Sequence, residues 1–176
     1  MKDKATVLRI VLLVSIMALF AFLRVYIDIP NFSPVAAIAL FGGTFISRKA
    51  WAMLVPLAIL FVSDAIIGFY SPFLMAFVYV SFAMIAGIGF WLRNNMKVQN
   101  VIGASLFSSV LFFALTNLGV WAEGLWYPMT LTGLGECFTM AIPFFRYEVA
   151  GTMLFTLVFF GIYQLSITKI SVFKTA

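Results

Sequence analysis

A carboxylate at Asp64 and a carboxamide at Asn117 each follow a hydroxyl residue, Ser63 and Thr116, inside stretches that are otherwise apolar. Polar side chains within a membrane-spanning segment are costly, and those that persist face the protein interior or a water-filled cavity, where they mark solute or ion sites. Further polar groups stand at the ends of other apolar runs: Asn31 and Ser33 in Asn31-Phe32-Ser33-Pro34, and Arg146-Tyr147-Glu148 before the last run. Trp121, Trp126 and Tyr127 add flat apolar surface close to Asn117 in sequence, and Cys137 is the one thiol. Amides, carboxylates, a guanidinium and aromatic rings together suit the binding of a small molecule, with the rings contacting its body and the polar groups fixing its orientation.

The same inventory argues against catalysis. With no histidine, the commonest metal ligand and the near-neutral proton carrier are missing. No Gly-rich nucleotide loop and no Gly-x-Ser-x-Gly elbow occurs, so this chain is not expected to hydrolyse nucleotide, and no metal or cofactor is called for. Cys137 has no basic neighbour in sequence to activate it. Any catalysis would have to rest on Asp64, Glu148, Glu136 or Cys137.

The elements that must hold these groups follow from composition. Of 176 residues, 64% are hydrophobic and 10% charged, leaving no polar block long enough for a soluble domain. One integral membrane domain, 1–176, is expected: an all-α polytopic bundle of six transmembrane helices near 7–27, 34–47, 51–69, 73–92, 101–122 and 147–168. The first run is too long for a signal-peptide core and has no small-residue cleavage site, which makes it a retained span. If the amino terminus is cytoplasmic, Lys2, Lys4, Arg9, Arg48, Lys49, Arg93, Lys97, Lys169 and Lys174 all fall inside, nine of the eleven basic residues. The formal charge of +5 thus reports orientation, with both termini cytoplasmic, and not a nucleic-acid partner.

On that topology Asn31, Ser33, Asp64, Thr116, Asn117, Tyr147 and Glu148 converge in the outer leaflet, while the inner half is featureless apart from its basic rim. The pattern describes an outward-open pocket better than a channel, which needs polar lining throughout. The outer link 123–146 carries Trp126-Tyr127-Pro128, a Gly133-Leu134-Gly135 turn signal, a short helix near 136–142 and Pro143. Its length suits a lid over the pocket. Each residue also has a structural reading: Asp64 pairing with Arg24 or Arg146, Asn117 bonding across helices, and Glu148 complementing the positive end of the last helix. The aromatics would then be interfacial anchors, and Cys137 an inert small residue. Ala36, Ala39 and Gly43 form a small-sided stripe for close packing or a partner, as do Ala83 with Gly87 and Ala104 with Ser108.

The stretches Asn31-Phe32-Ser33-Pro34-Val35-Ala36-Ala37 with Phe41-Gly42-Gly43, Ser63-Asp64 with Gly68-Phe69, Thr116-Asn117-Leu118-Gly119-Val120-Trp121, Tyr127-Pro128 and Ile142-Pro143-Phe144-Phe145-Arg146 resemble a widespread family of uncharacterised small bacterial membrane proteins. The likeness runs from about Arg24 to Gln164. That family in turn resembles the S-components of energy-coupling-factor transporters in size, span number and topology. The resemblance implies a six-helix protein of the bacterial inner membrane that captures a vitamin or cofactor precursor from outside. It also implies closure by the outer loops, and a partner module of a membrane scaffold with two ATPases. S-components carry an Ala-x-x-x-Ala docking pattern in the first span; here Ala18 and Ala21 are three apart, and Phe22 stands four after Ala18. A solitary cobalamin-type S-component ligates cobalt through a cysteine, a role Cys137 would take if the solute were cobalamin-like.

Three functions are weighed. The first is S-component-like binding and transport of a small nutrient, with Asn31, Ser33, Asp64, Thr116, Asn117, Trp121, Trp126, Tyr127, Cys137, Arg146 and Glu148 as the solute site. The second is an accessory or structural subunit of a larger membrane complex, with the small-residue stripes as partner surfaces. The third is a membrane enzyme acting on a lipid or cofactor precursor.

Overall fold

The computed structural model describes residues 2–26 and 29–169; Lys174, and the side chains of Lys2, Lys4 and Lys169 counted above, lie outside the described parts. The described residues form six helices and one 3-10 turn, with no strand among them: α1 (Lys2–Leu23), the turn Arg24–Tyr26, α2 (Val35–Phe45), α3 (Lys49–Ile67), α4 (Pro72–Arg93), α5 (Val98–Ala122) and α6 (Leu131–Lys169). Five of them, all but α2, are long and apolar enough to cross a membrane. The chain is a multi-pass membrane protein.

Two expectations about the spans change. The second span is a helix of 11 residues, about 16 Å at the helical rise, or half the ~30 Å of a bilayer's hydrocarbon. Every residue of α2 from Val35 to Thr44 is buried. A helix apolar on all sides must be covered on all sides, and α2 packs against each of the other five. The second change concerns the outer link. Residues 131–146 are helical and continuous with the last span, so only 123–130 remain as a connection. Pro143, read from sequence as standing before the span, lies inside α6.

Sequence chemistry accounts for the helix ends. Ser71 caps α4, its hydroxyl accepting from the Leu74 N–H at 3.5 Å, and Pro72 occupies the first helical position, where no donor is needed. Gly124, at φ 70°, ends α5 in the left-handed conformation that a glycine adopts without strain.

Small residues decide how closely the helices cross. A methyl group on Gly43 would stand 2.2 Å from the Ala86 carbonyl oxygen, and one on Gly89 would stand 2.6 Å from that of Leu40. The backbones of α2 and α4 therefore touch directly, as membrane helices do where a β-carbon is missing. Ala36, Ala39 and Gly43 are all buried in this crossing helix. In α4 the face against this crossing carries Ala86 and Gly89; Gly87, which with Ala83 forms the other small-residue patch of this helix, is exposed with open space beside it. Its position, two residues from Gly89, points it well around the helix from the crossing. Ala104 and Ser108 are buried in α5, whose neighbour Ser105 meets Thr156 of α6 hydroxyl to hydroxyl at 3.4 Å.

Arg93, at the end of α4, closes the carboxyl end of α2. Its Nη2 donates to the Gly43 carbonyl at 2.7 Å and to that of Ile46, Nε donates to Thr44 at 3.0 Å, and Nη1 to Ser47 at 2.9 Å. Gly43 and Thr44 carry carbonyls of the last turn, which a helix leaves without partners at the negative end of its dipole, and Ile46 and Ser47 follow directly after it.

Candidate functional site

Because α2 spans half a bilayer's depth, space is left beyond its first turn, and the structure holds a cavity of about 330 Å³ there. Val35 and Ala36 of α2 line it, with Phe32 just before, Leu60 and Ile67 of α3, Val78 and Phe82 of α4, and Phe112 of α5. Its polar groups are Arg24, Asn31, Ser33, Tyr70 and Glu148. Six segments thus contribute to one partly polar, aromatic-walled space, at the end of the bundle opposite Arg93.

Arg24 is anchored to α3. Its Nη1 donates to Asp64 Oδ1 at 2.8 Å and to the Ser63 hydroxyl at 3.1 Å. The second carboxylate oxygen of Asp64 accepts from the Tyr79 hydroxyl at 3.1 Å. Asp64 is 1% exposed, while the Arg24 side chain remains 24% exposed. The carboxylate stands behind the guanidinium, and Arg24 is the group that reaches the cavity. Of the two cations considered for Asp64, the structure selects Arg24.

The loop before α2 has a defined shape. Pro30 and Asn31 fill the central positions of a turn closed by the Phe32 N–H donating to the Ile29 carbonyl at 3.1 Å. Asn31 takes φ 61°, and proline followed by a residue of positive φ is the pattern of a type II turn, where asparagine is tolerated. The loop then rests on α6: a methyl on Gly151 would stand 3.0 Å from the Ser33 nitrogen.

Glu148 enters from α6. It does not open that helix, which starts at Leu131, so complementing a helix start is not its role. It is 4% exposed; Oε1 accepts from the Thr152 hydroxyl at 2.8 Å, and among the described residues Oε2 has no hydrogen-bond or ionic partner. Tyr70, on the connection between α3 and α4, completes the polar set. Burial, then the nearby Asp64 charge, pushes its phenol up to about 12, so it remains a hydrogen-bond donor over the whole physiological range.

Seven residues expected at the site line other parts of the molecule. Thr116 and Asn117 turn back on α5, donating to the Phe112 carbonyl at 2.8 Å and the Phe113 carbonyl at 2.8 Å. Trp121 donates from its indole to the Pro128 carbonyl at 3.1 Å, and a methyl on Gly133 would stand 2.0 Å from that same oxygen. The connection 123–130 is therefore tied down against α6. Trp126 is 77% exposed, and Tyr127, like Trp126, is absent from the cavity wall. Cys137 is 2% exposed and faces α5, with Sγ 3.4 Å from the Asn117 carbonyl. Arg146 lies over the Tyr147 ring and donates to its hydroxyl at 2.8 Å, exposed. For the residues of the segment 123–146 the reason is the early start of α6, which makes a helical hairpin with α5 from residues read as a lid. Conversely, Tyr70, Phe82 and Phe112 were not singled out from the sequence; an aromatic in an apolar span carries no signal that separates a wall from a lipid face.

Two other grooves are mostly apolar, the first with Gln99 and Asn100 in its lining. One of about 400 Å³ between α4 and α5 is lined by Ile88, Trp91, Gly103 and Phe107 among others, and one of about 310 Å³ between α1 and α3 includes Ala18, Ala21, Ala58 and Val62. Among the described residues no group of three or more His, Cys, Asp or Glu side chains is placed to hold a metal ion.

A family model matches residues 4–173, nearly the whole chain, which therefore belongs to the family of unknown function DUF6580. No curated protein and no solved structure matches it.

Proposed function

We propose that the protein captures a small, partly polar solute, of the size of a vitamin or cofactor precursor, from the outer face of a bacterial inner membrane, in the manner of a transporter S-component. The observation that carries the reading is the cavity at the start of α2, whose volume of about 330 Å³ falls in the range of small-molecule sites and whose wall mixes aromatic rings with few, fixed polar groups. Its size fits a one- or two-ring molecule and not a corrin, and Cys137 faces α5 and not this space. Charge supports this side. Arg48, Lys49, Arg93 and Lys97 gather where α2 and α4 end and α3 and α5 begin, the far end from the cavity, and basic ends of membrane helices stay in the cytoplasm.

A second reading, an accessory subunit of a larger membrane complex, draws on the groove between α4 and α5, beside which Gly87 and Gly103 leave open space for another helix. An energising module is a further partner under the first reading. Access decides the orientation on which capture depends. In a Cys137→Ser background, Ser33→Cys is expected to react with a membrane-impermeant maleimide added to intact cells, while Ser47→Cys reacts only after permeabilisation. The reverse pattern would remove capture from outside.

A further inference from the structure

We infer that the captured solute carries a cationic nitrogen, a protonated amine or a quaternary ammonium, seated against Glu148; the inference rests on the capture reading above. Among the described residues the cavity wall presents one cation, Arg24, and one anion, Glu148, and no hydrogen bond or ion pair joins them. Arg24 faces the cavity but is paired through Nη1 with Asp64 and Ser63. Both carboxylate oxygens of Asp64 are engaged, one by Arg24 and the other by Tyr79. Glu148 is left with a single neutral donor, Thr152, on one oxygen, and its second oxygen has no partner among the described residues. Counted as charge, the Arg24–Asp64 pair cancels and Glu148 remains. A buried carboxylate in so apolar a setting is stabilised by an opposite charge brought within contact, and here no described side chain supplies it.

The rest of the wall favours an organic cation over a bare ion. Metal ions need several oxygen ligands, whereas Glu148 is the one acidic side chain among the described residues of this wall. Phe32, Phe82 and Phe112 all line the cavity, and the rings of the last two stand 5.6 Å apart centroid to centroid. Phenyl faces attract a desolvated ammonium while also accepting the hydrocarbon attached to it. Asn31, Ser33 and Tyr70 can serve the polar groups of the remaining body.

The test compares three probes of one shape, phenethylamine, phenethyl alcohol and phenylacetate, by calorimetry on the protein in nanodiscs, with empty nanodiscs as the blank. The amine is expected to bind at least about tenfold more tightly than the other two, the ratio a single buried charge contact commonly gives. Glu148→Gln, which keeps the shape and the Thr152 hydrogen bond, is expected to abolish that preference. Equal or tighter binding of the alcohol or the carboxylate to the unmodified protein overturns the cationic assignment without any appeal to a variant. So does an amine preference that survives Glu148→Gln, or no binding of the amine at millimolar concentration. Capture itself stands or falls separately, on whether the purified protein yields a bound compound of any charge.

Discussion

Arg24 and Asp64 form a pair of unequal burial: the oxygen and nitrogen are 2.8 Å apart, yet the carboxylate is 1% exposed and the guanidinium side chain 24%. The inequality predicts an asymmetry between single substitutions. Arg24→Ala leaves a charge that solvent does not reach, whereas Asp64→Ala leaves one that water and the cavity can solvate. Removing one partner of a buried pair costs about 3–5 kcal/mol. Arg24→Ala is expected at that level and Asp64→Ala clearly below it, measured as loss of thermal stability in detergent. Equal losses would show that the pair is solvated alike on both sides.

The crossing of α2 and α4 gives a sharper contrast. Gly43→Ala and Gly89→Ala place a methyl against backbone, which has no rotamer by which to yield. Each is expected to cost about 1–3 kcal/mol or more. Gly87→Ala and Gly103→Ala meet open space and are expected to be neutral or slightly stabilising through helix propensity. Thermal unfolding of the four variants checks this; a loss at Gly87 or Gly103 would instead reveal a partner helix on that face.

Asn31 has two jobs that can be separated. Its positive φ shapes the turn, and its amide reaches the cavity wall. Asn31→Gly keeps the turn and removes the amide, so stability should hold while solute affinity falls. Asn31→Ala strains the turn as well, at about 1 kcal/mol for a left-handed alanine, and should lower both. Unfolding and binding measured on the two variants resolve the roles.

Arg93 is a cap that lysine does not replace. Four carbonyls at the end of α2 receive its planar fork, and an ammonium has neither the reach nor the geometry for all of them. Arg93→Lys is expected to lose about 1–2 kcal/mol despite keeping the charge. Unchanged unfolding would mean that the charge alone suffices.

Much of this arrangement was legible beforehand. Long apolar runs located five helices because a bilayer imposes their length, and the stripe Ala36, Ala39, Gly43 marked the close crossing because only missing side chains permit it. Asn31, Ser33 and Glu148 reach the cavity, while Asp64 supports it from behind Arg24. The start of α6 was not legible. Gly133, Gly135 and Pro143 read as loop residues, yet the small size of Gly133 is what lets the Pro128 carbonyl lie against the helix. Once that segment is helical, Cys137 and Arg146 take positions no loop reading gives them. Thr116 and Asn117 were placed by depth alone, which fixes the level of a side chain and not its direction; both satisfy their own helix. Phe82 and Phe112 were invisible for a different reason, since their role depends on the tertiary packing of α4 against α5 that brings the two rings together on the cavity wall.

The most direct measurement of the central claim is mass spectrometry of small molecules extracted from gently purified protein, compared with an Ile67→Trp variant. Ile67 is 50% exposed and borders the cavity, so the larger ring should fill the opening without disturbing the core. The account predicts one compound retained at near-stoichiometric level by the unmodified protein and depleted from the variant. The same compound at equal level in both, or none from either, would contradict a solute site at the start of α2.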